Sequence, residues 1–259
     1  MSQIKIENLT FCYENSYDNI FENVNLLLDT DWKLGFIGRN GRGKTTFFNL
    51  LLGKYPYSGS ITHTAAFEYF PFAAPKHDLL TLDFCKDIIA PFRAWEAQME
   101  ALLADGSEAA LLRYGDIQEQ FAGHDGYIIE ELIEKELNLL KTSAEILFRP
   151  LSTLSYGERT KVMLAGLFLK KNRFLLIDEP TSHLDAEGQQ SIGAYLNTKK
   201  GYILVSHDRA LLDQAADHIL SINRSNIEIM KGNYSVWQQN KERTDQYELE
   251  QNHKLKRCV

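Results

Sequence analysis

In "QIKIENL", near the start of the chain, apolar and polar positions alternate, the pattern of a strand with one face buried. "VNLLLDT" and "WKLGFIG" follow as apolar-rich strands, and "KTTFFNLLLG" turns to helical content that stops at Gly53. "GSITH" and "AAFEYF" read as two further strands. After Pro71 the character changes. From about Asp78 to Phe148 the sequence is helical, and "IIEELIEKELNLL" places Ile128, Ile129, Leu132, Ile133, Leu137 and Leu140 on one stripe. Gly106 and Ser107 interrupt the helical pattern and suggest a hairpin tip. Beyond Pro150, "FLLID" and "YILVS" are continuous apolar runs of the kind buried on both faces of a parallel sheet, with helical stretches around them. Strand and helix therefore alternate around one all-helical insertion, which predicts an α/β core carrying a helical subdomain. Past Trp237 the segment "QQNKERTDQYELEQNHKLKRCV" is charged and free of Gly and Pro; Tyr247, Leu249 and Leu255 make no core-facing surface. A helix of that kind is exposed, or waits for a partner.

Composition narrows the class. At 259 residues, 44% hydrophobic and 24% charged, the chain has the make-up of a soluble globular protein. A net charge of −7 argues against a general nucleic-acid coat and leaves room only for a local basic patch. Cys12, Cys85 and Cys258 have no CxxC spacing, which fits a reduced interior better than a disulfide framework or a zinc site. The opening "MSQIKIENLT" lacks the apolar region of a signal peptide, and no apolar run is long enough for a bilayer. The expectation is a cytoplasmic protein, or the cytoplasmic part of one, with no membrane insertion.

"GRNGRGKTT" matches G-x-x-x-x-G-K-[ST] from Gly38 to Thr45, after an apolar strand and at the opening of a helix. Gly38, Gly41 and Gly43 let the backbone turn its N–H groups toward phosphate oxygens, and the helix N-terminus adds positive partial charge. Lys44 would supply a full charge to the β- and γ-phosphates of ATP, and the Thr45 hydroxyl could ligate Mg²⁺. The bland alternative is a Gly-rich turn with a surface lysine. In "FLLIDEP", Asp178 at the end of a buried parallel strand would hold the Mg²⁺ shell, and Glu179 would serve as general base toward water. A Glu-Pro turn closing the strand is the rival there. His207 in "YILVSHD" also ends a strand, where it is either a structural residue or a donor that senses the γ-phosphate.

"GRNGRGKTT", "LSYGE", "FLLIDEP", "SHLD" and "SHD" stand in the order of the Walker A, signature, Walker B, D-loop and switch-histidine motifs, and the chain resembles the ATP-binding cassette family over nearly its whole length. The resemblance implies a P-loop NTPase cassette with a mostly parallel core sheet, an N-terminal antiparallel β part and an inserted helical subdomain. It extends the phosphate-binding set to Asn40, Arg42 and Thr46, assigns the D-loop Asp185, and aligns Tyr13 with the aromatic that stacks on adenine; a core tyrosine is the alternative for Tyr13. In that family two cassettes dimerise head to tail. The signature residues Ser155, Tyr156, Gly157 and Glu158 would thus serve a partner's ATP, so hydrolysis would need a second cassette.

"DEPTSHLD" and "KGNYSVWQQNKE" are similar to sequences of the ABC-F branch, whose members are soluble and act on ribosomes, and "LSYGERTK" and "EYFPF" resemble its lincosamide, streptogramin and pleuromutilin resistance subgroup. An ABC-F reading implies a nucleotide-binding domain over 1–235 with the helical or arm insertion at about 78–148. Residues 236–259 would begin an interdomain linker helix. The partner would be a missing C-terminal cassette or a second copy of this chain, and ribosomal rRNA and tRNA would be contacted by the full-length protein. Two positions depart from the family pattern: Phe72 stands where the Q-loop glutamine is expected, and Tyr156 replaces the first signature glycine. An ATPase subunit of a membrane transporter is the alternative, and a nucleotide-gated module that barely hydrolyses is a third reading.

Overall fold

The computed structural model describes residues 3–257 apart from 15, 17, 40, 74–78, 224 and 225; of 248–257 it describes the backbone alone. Asn40, Cys258 and the start of the helical stretch at Asp78 lie outside the described residues. In chain order the elements are β1 (Gln3–Phe11), β2 (Phe21–Asp29), β3 (Lys33–Ile37), α1 (Lys44–Leu51), β4 (Ser58–His63), β5 (Ala66–Phe70), α2 (Thr81–Ile89), α3 (Phe92–Asp105), α4 (Glu108–Gly123) and α5 (Ile129–Leu139). They continue through α6 (Tyr156–Leu169), β6 (Arg173–Asp178), α7 (Ala186–Asn197), β7 (Tyr202–Val205), α8 (Arg209–Ala215), β8 (His218–Asn223), β9 (Asn226–Lys231) and α9 (Tyr234–Arg257). One sheet has the order β2-β1-β4 and is antiparallel; the other runs β5-β6-β7-β3-β8-β9, with β3 parallel to both β7 and β8 and β9 antiparallel at the edge.

The chain divides into two compact units, the first comprising residues 1–67, 176–179 and 196–259. Its burial follows the strand patterns. Along β1, Ile4 and Ile6 are buried as the alternation predicts, and Leu9 and Phe11 return to the buried face after a register shift between Ile6 and Leu9. All of β7 is buried, as a strand covered on both faces must be. The buried Tyr202 at its start donates to both Leu196 O at 3.0 Å and Ala215 O at 2.6 Å, so its hydroxyl is satisfied inside the core. The helix α9 is anchored at its beginning, where Asp213 of α8 accepts from the Ser235 backbone N–H and hydroxyl, and its residues 239–247 are exposed; Tyr247 is 63% exposed.

The second unit, 68–175 with 180–195, is mostly helical. Gly106 takes a left-handed conformation between α3 and α4, and the Ser107 hydroxyl accepts from Ala110 N–H to start α4, the hairpin that the Gly-Ser break suggests. Buried Lys86 of α2 reaches Glu130 at 2.7 Å and Glu96 at 3.5 Å, joining α2 to α5 and α3. The predicted stripe holds at Ile129, Ile133, Leu137 and Leu140, whereas Ile128 is 46% exposed because a one-turn 3₁₀ segment, Gly126–Ile128, precedes α5 and takes it out of helical register. Glu136 shares the buried face, where its Oε2 accepts from the Tyr195 hydroxyl at 2.5 Å.

Candidate functional site

The first unit gathers most of the predicted phosphate and metal residues at the ends of β3, β6 and β7. The turn from β3 into α1 rises through Gly41 at φ +76° and Gly43 at φ +103°. A Cβ on Gly43 would stand 2.7 Å from Ile20 Cγ2, so both the conformation and the space there require glycine. This turn leaves the first N–H groups of α1 without helical partners, a ready anion cradle. Arg42 lies in the turn, its N–H donating to Arg39 O at 3.2 Å.

Lys44 Nζ donates to Gly38 O at 2.7 Å, which holds the ammonium over its own loop. Partial burial pushes the Lys44 pKa down, against the pull of the Glu179 and Asp178 charges. Thr45 Oγ1 lies 3.4 Å from Asp178 Oδ2, bringing a hydroxyl and a carboxylate together from α1 and β6. These are hard oxygen donors, and one carboxylate plus a hydroxyl suits Mg²⁺, which takes its other ligands from water and phosphate. Next in the chain, Glu179 sits at φ +49°, its N–H donating to Val205 O at 2.9 Å. That bond fastens the end of β6 to β7, and His207 follows β7: His207 Nε2 lies 3.4 Å from Glu179 Oε1. Burial raises the Glu179 pKa; His207, through its charge and its backbone N–H, and Lys44 oppose the rise, while Asp178 adds to it. A cleft of about 780 Å³ opens beside the loop, lined by Arg39, Arg42, Lys44 and His207 and, from α9, Tyr234 and Trp237.

Tyr13, just past β1, is 42% exposed, and its hydroxyl is 2.7 Å from that of the buried Thr46. The alternative of a core tyrosine does not describe a ring so open to solvent. Sequence reasoning missed two neighbours. Tyr55 contacts the Tyr13 ring, and Asp208 caps α8 behind His207 by accepting from Ala210 and Leu211 N–H. An Asp before a helix was readable as a cap; Tyr55 lies too far along the chain to be paired with Tyr13 by any local signal.

The other predicted residues belong to the second unit. Ser155 caps α6 in a reciprocal pair: its hydroxyl accepts from Glu158 N–H at 3.2 Å while Glu158 Oε2 accepts from Ser155 N–H at 2.8 Å. The bond from Ser155 N–H foremost, helped by the Ser155 hydroxyl and the Arg149 and Lys161 charges, lowers the Glu158 pKa against its partial burial. Tyr156 is 48% exposed with its ring 5.8 Å from that of His183, and Gly157 follows it in the first turn. Asp185 Oδ1 accepts from Gly188 N–H at 2.9 Å at the start of α7. Phe72 lines a cleft of about 480 Å³ with Phe84, Ile88 and Leu167 and with the charged Glu68, Asp87 and Lys170; its own side chain offers no metal ligand. Of the cysteines, Cys12 is exposed, and buried Cys85 has its thiol pKa pushed up to about 12.

A family model described as ABC transporter matches residues 21–182. Among curated relatives, the ABC transporter ATP-binding protein YfmM of Bacillus subtilis is 32% identical, over 83% of this chain and 44% of its own length. The energy-dependent translational throttle protein EttA of Mycobacterium tuberculosis is 29% identical, over 86% of this chain and 41% of its own. The tylosin resistance ATP-binding protein TlrC of Streptomyces fradiae is 30% identical, over 86% and 42%. The chain spans less than half the length of these relatives. In fold it is similar to a metal-chelate type ABC transporter solved in an inward-facing conformation, with TM-score 0.60 and 21% identity over 89% of this chain and 83% of that one.

Proposed function

The chain belongs to the ABC transporter family, and from that premise we propose that it is an ATP-binding and ATP-hydrolysing cassette of the ABC-F branch, acting on the ribosome when joined to a second cassette. The observation that carries the enzymatic part is the convergence of Lys44, the Thr45–Asp178 pair and the Glu179–His207 pair on one phosphate-binding turn. The loop N–H groups and Lys44 bind the phosphates. Thr45 and Asp178 would hold Mg²⁺, which would supply positive charge beside the phosphoryl oxygens. Glu179, its pKa raised by burial, accepts the proton of the attacking water; the His207 backbone N–H bonds that carboxylate, and the His207 ring beside it would donate toward the γ-phosphate. Ser155, Tyr156 and Gly157 stand at the start of α6, where they would meet the ATP of a second cassette.

The ribosomal part is supported by the "DEPTSHLD" and "KGNYSVWQQNKE" segments, by the helix α9, which is exposed over 239–247, and by relatives named for translational throttling and tylosin resistance. Among the described residues no helix is long and apolar enough to cross a membrane. The test is co-sedimentation. Glu179→Gln is placed in a version continued through a second cassette, and ATP is added. Tight ATP-dependent pelleting with ribosomes is the expected result. Recovery with membranes or a permease, and none with ribosomes, would establish a transporter subunit instead.

A further inference from the structure

We propose that Tyr55 is a positioning residue that sets the Tyr13 ring as a stacking platform for the nucleotide base, and that the Tyr13 hydroxyl ties this platform to the phosphate-binding helix through Thr46. The proposal rests on the nucleotide reading of the loop. Three rings meet here, drawn from β1, the segment after it, and the loop that leaves α1. Tyr13 makes T-shaped contacts with Phe11 at 5.0 Å and with Tyr55 at 5.8 Å, each at 79°. Phe11 and Tyr55 in turn stack on one another, 5.6 Å apart at 23°. Phe11 is 5% exposed and fixed in the core, so it is the rigid base of the cluster. Tyr55 is half-buried and Tyr13 more open still, so this cluster keeps aromatic surface in water instead of packing it away.

A ring touched by two others at nearly the same steep angle is restricted in its tilt. Without Tyr55, the Tyr13 ring keeps Phe11 as its one aromatic neighbour among the described residues. The hydroxyl end is also tethered, since Tyr13 Oη lies 2.7 Å from Thr46 Oγ1. With the phenol as donor, the Thr46 hydroxyl keeps its own hydrogen for an anion held at the start of α1. Tyr55 thus acts on the tilt of the ring, whereas the hydroxyl of Tyr13 meets the turn that recognises phosphate through its own bond to Thr46. Stacking reads the area of a base and not its hydrogen-bonding edge, so the ligand class is a ring-bearing nucleoside triphosphate; a triphosphate without a base should not sense Tyr55.

The experiment compares Mg²⁺-ATP with Mg²⁺-tripolyphosphate by calorimetry on the wild-type chain, Tyr55→Leu, Tyr55→Phe and Tyr13→Phe. Tyr55→Leu should weaken ATP about 3- to 10-fold, the scale of one aromatic pair, and leave tripolyphosphate unchanged. Tyr55→Phe should restore wild-type ATP affinity, because the ring and not the hydroxyl makes the contacts. Tyr13→Phe keeps the ring but frees Thr46 from its partner, and should weaken both ligands. Equal loss of both ligands in Tyr55→Leu would show a merely structural role and overturn the proposal, as would no loss of either. Binding of neither ligand by the wild-type chain would remove the nucleotide reading itself, and this inference with it. Tripolyphosphate binding in each variant also reports that the loop is folded.

Discussion

His207 Nε2 stands 3.4 Å from Glu179 Oε1, a carboxylate oxygen that is buried and accepts no hydrogen bond from the described residues. A carboxylate so placed is costly to ionise and correspondingly basic, the property wanted in a group that takes a proton from water.

Glu179→Gln should lower ATP turnover at least about 100-fold, the scale of a lost general base, while ATP affinity is kept. The same substitution has a readout in stability. Burial raises the Glu179 pKa in the folded chain, so the folded state holds that proton more tightly than the unfolded state does. The resulting stabilisation is full below the ordinary glutamate value and is lost as pH rises through the raised folded value. Above the glutamate range the buried carboxyl is therefore a net cost to folding, which glutamine relieves. Thermal unfolding of the ligand-free chain should show Glu179→Gln melting no lower than wild type at pH 7. That advantage should disappear below the glutamate range.

Lys44→Ala removes the ammonium that bonds Gly38 O and lies in the field of Glu179 and Asp178. ATP affinity should fall about 10- to 100-fold, as expected for one hydrogen bond to a charged group. An unchanged dissociation constant by calorimetry would sink the role assigned to this lysine.

The sequence announces a feature wherever the physics is local, and hides it wherever the chain has to close on itself. The alternation in β1, the continuous apolar runs of β6 and β7, and the glycines before α1 are each readable within ten residues, and the mixed α/β fold follows from them. The edge pair β8 and β9 went unread. "HILSIN" and "NIEIMK" are short, and they become strands through pairing with β3 and with one another. The stripe of α5 misplaces Ile128, because only the three-residue 3₁₀ turn before it decides where helical register begins. Nor does any periodicity mark Glu136 as buried; its partner Tyr195 is 59 residues away. In the site, motif spacing nominates Lys44, Thr45, Asp178 and Glu179, whereas the contact between Tyr13 and Tyr55 exists only once β1 and the loop after α1 are folded together.

Tyr195→Phe tests that buried pair. The change deletes one hydroxyl and leaves the ring, so what it measures is the loss of a donor to a buried carboxylate. Unfolding in urea should show a loss of about 1–3 kcal/mol, the cost of removing one partner of a buried polar group. A loss below a few tenths of that scale would mean that water or another donor takes the place of the phenol.

Two glycines predict opposite signs. Gly59 sits at φ +99°, and a Cβ there would lie 2.4 Å from Glu7 O and 2.5 Å from Asn8 O, both backbone atoms of β1 that cannot step aside. Gly59→Ala should cost about 2–4 kcal/mol by left-handed strain and overpacking together. Gly115, inside α4, has nothing within 4 Å of the same added atom. Gly115→Ala should instead stabilise by about 0.5–1 kcal/mol, because the helix gains a better former without a clash. Melting curves of the two variants side by side check both.

Ser155 provides the test of whether the site is completed by a second cassette. Its hydroxyl and the Glu158 carboxylate already satisfy each other's backbone N–H groups, which leaves the N–H groups of Tyr156 and Gly157 at the start of α6 for an outside anion. If that anion is the ATP of another copy, hydrolysis by this chain depends on association, and specific activity should rise with protein concentration. Ser155→Arg and Lys44→Ala chains should each be inactive alone. Mixed, they should regain activity, because one site of each mixed dimer then pairs an intact Lys44 from one copy with an intact Ser155 from the other. The second site carries both lesions and stays silent, so recovery must remain below that of wild type. Flat specific activity across a wide dilution series, with no gain on mixing, would mean that a single chain completes its own site.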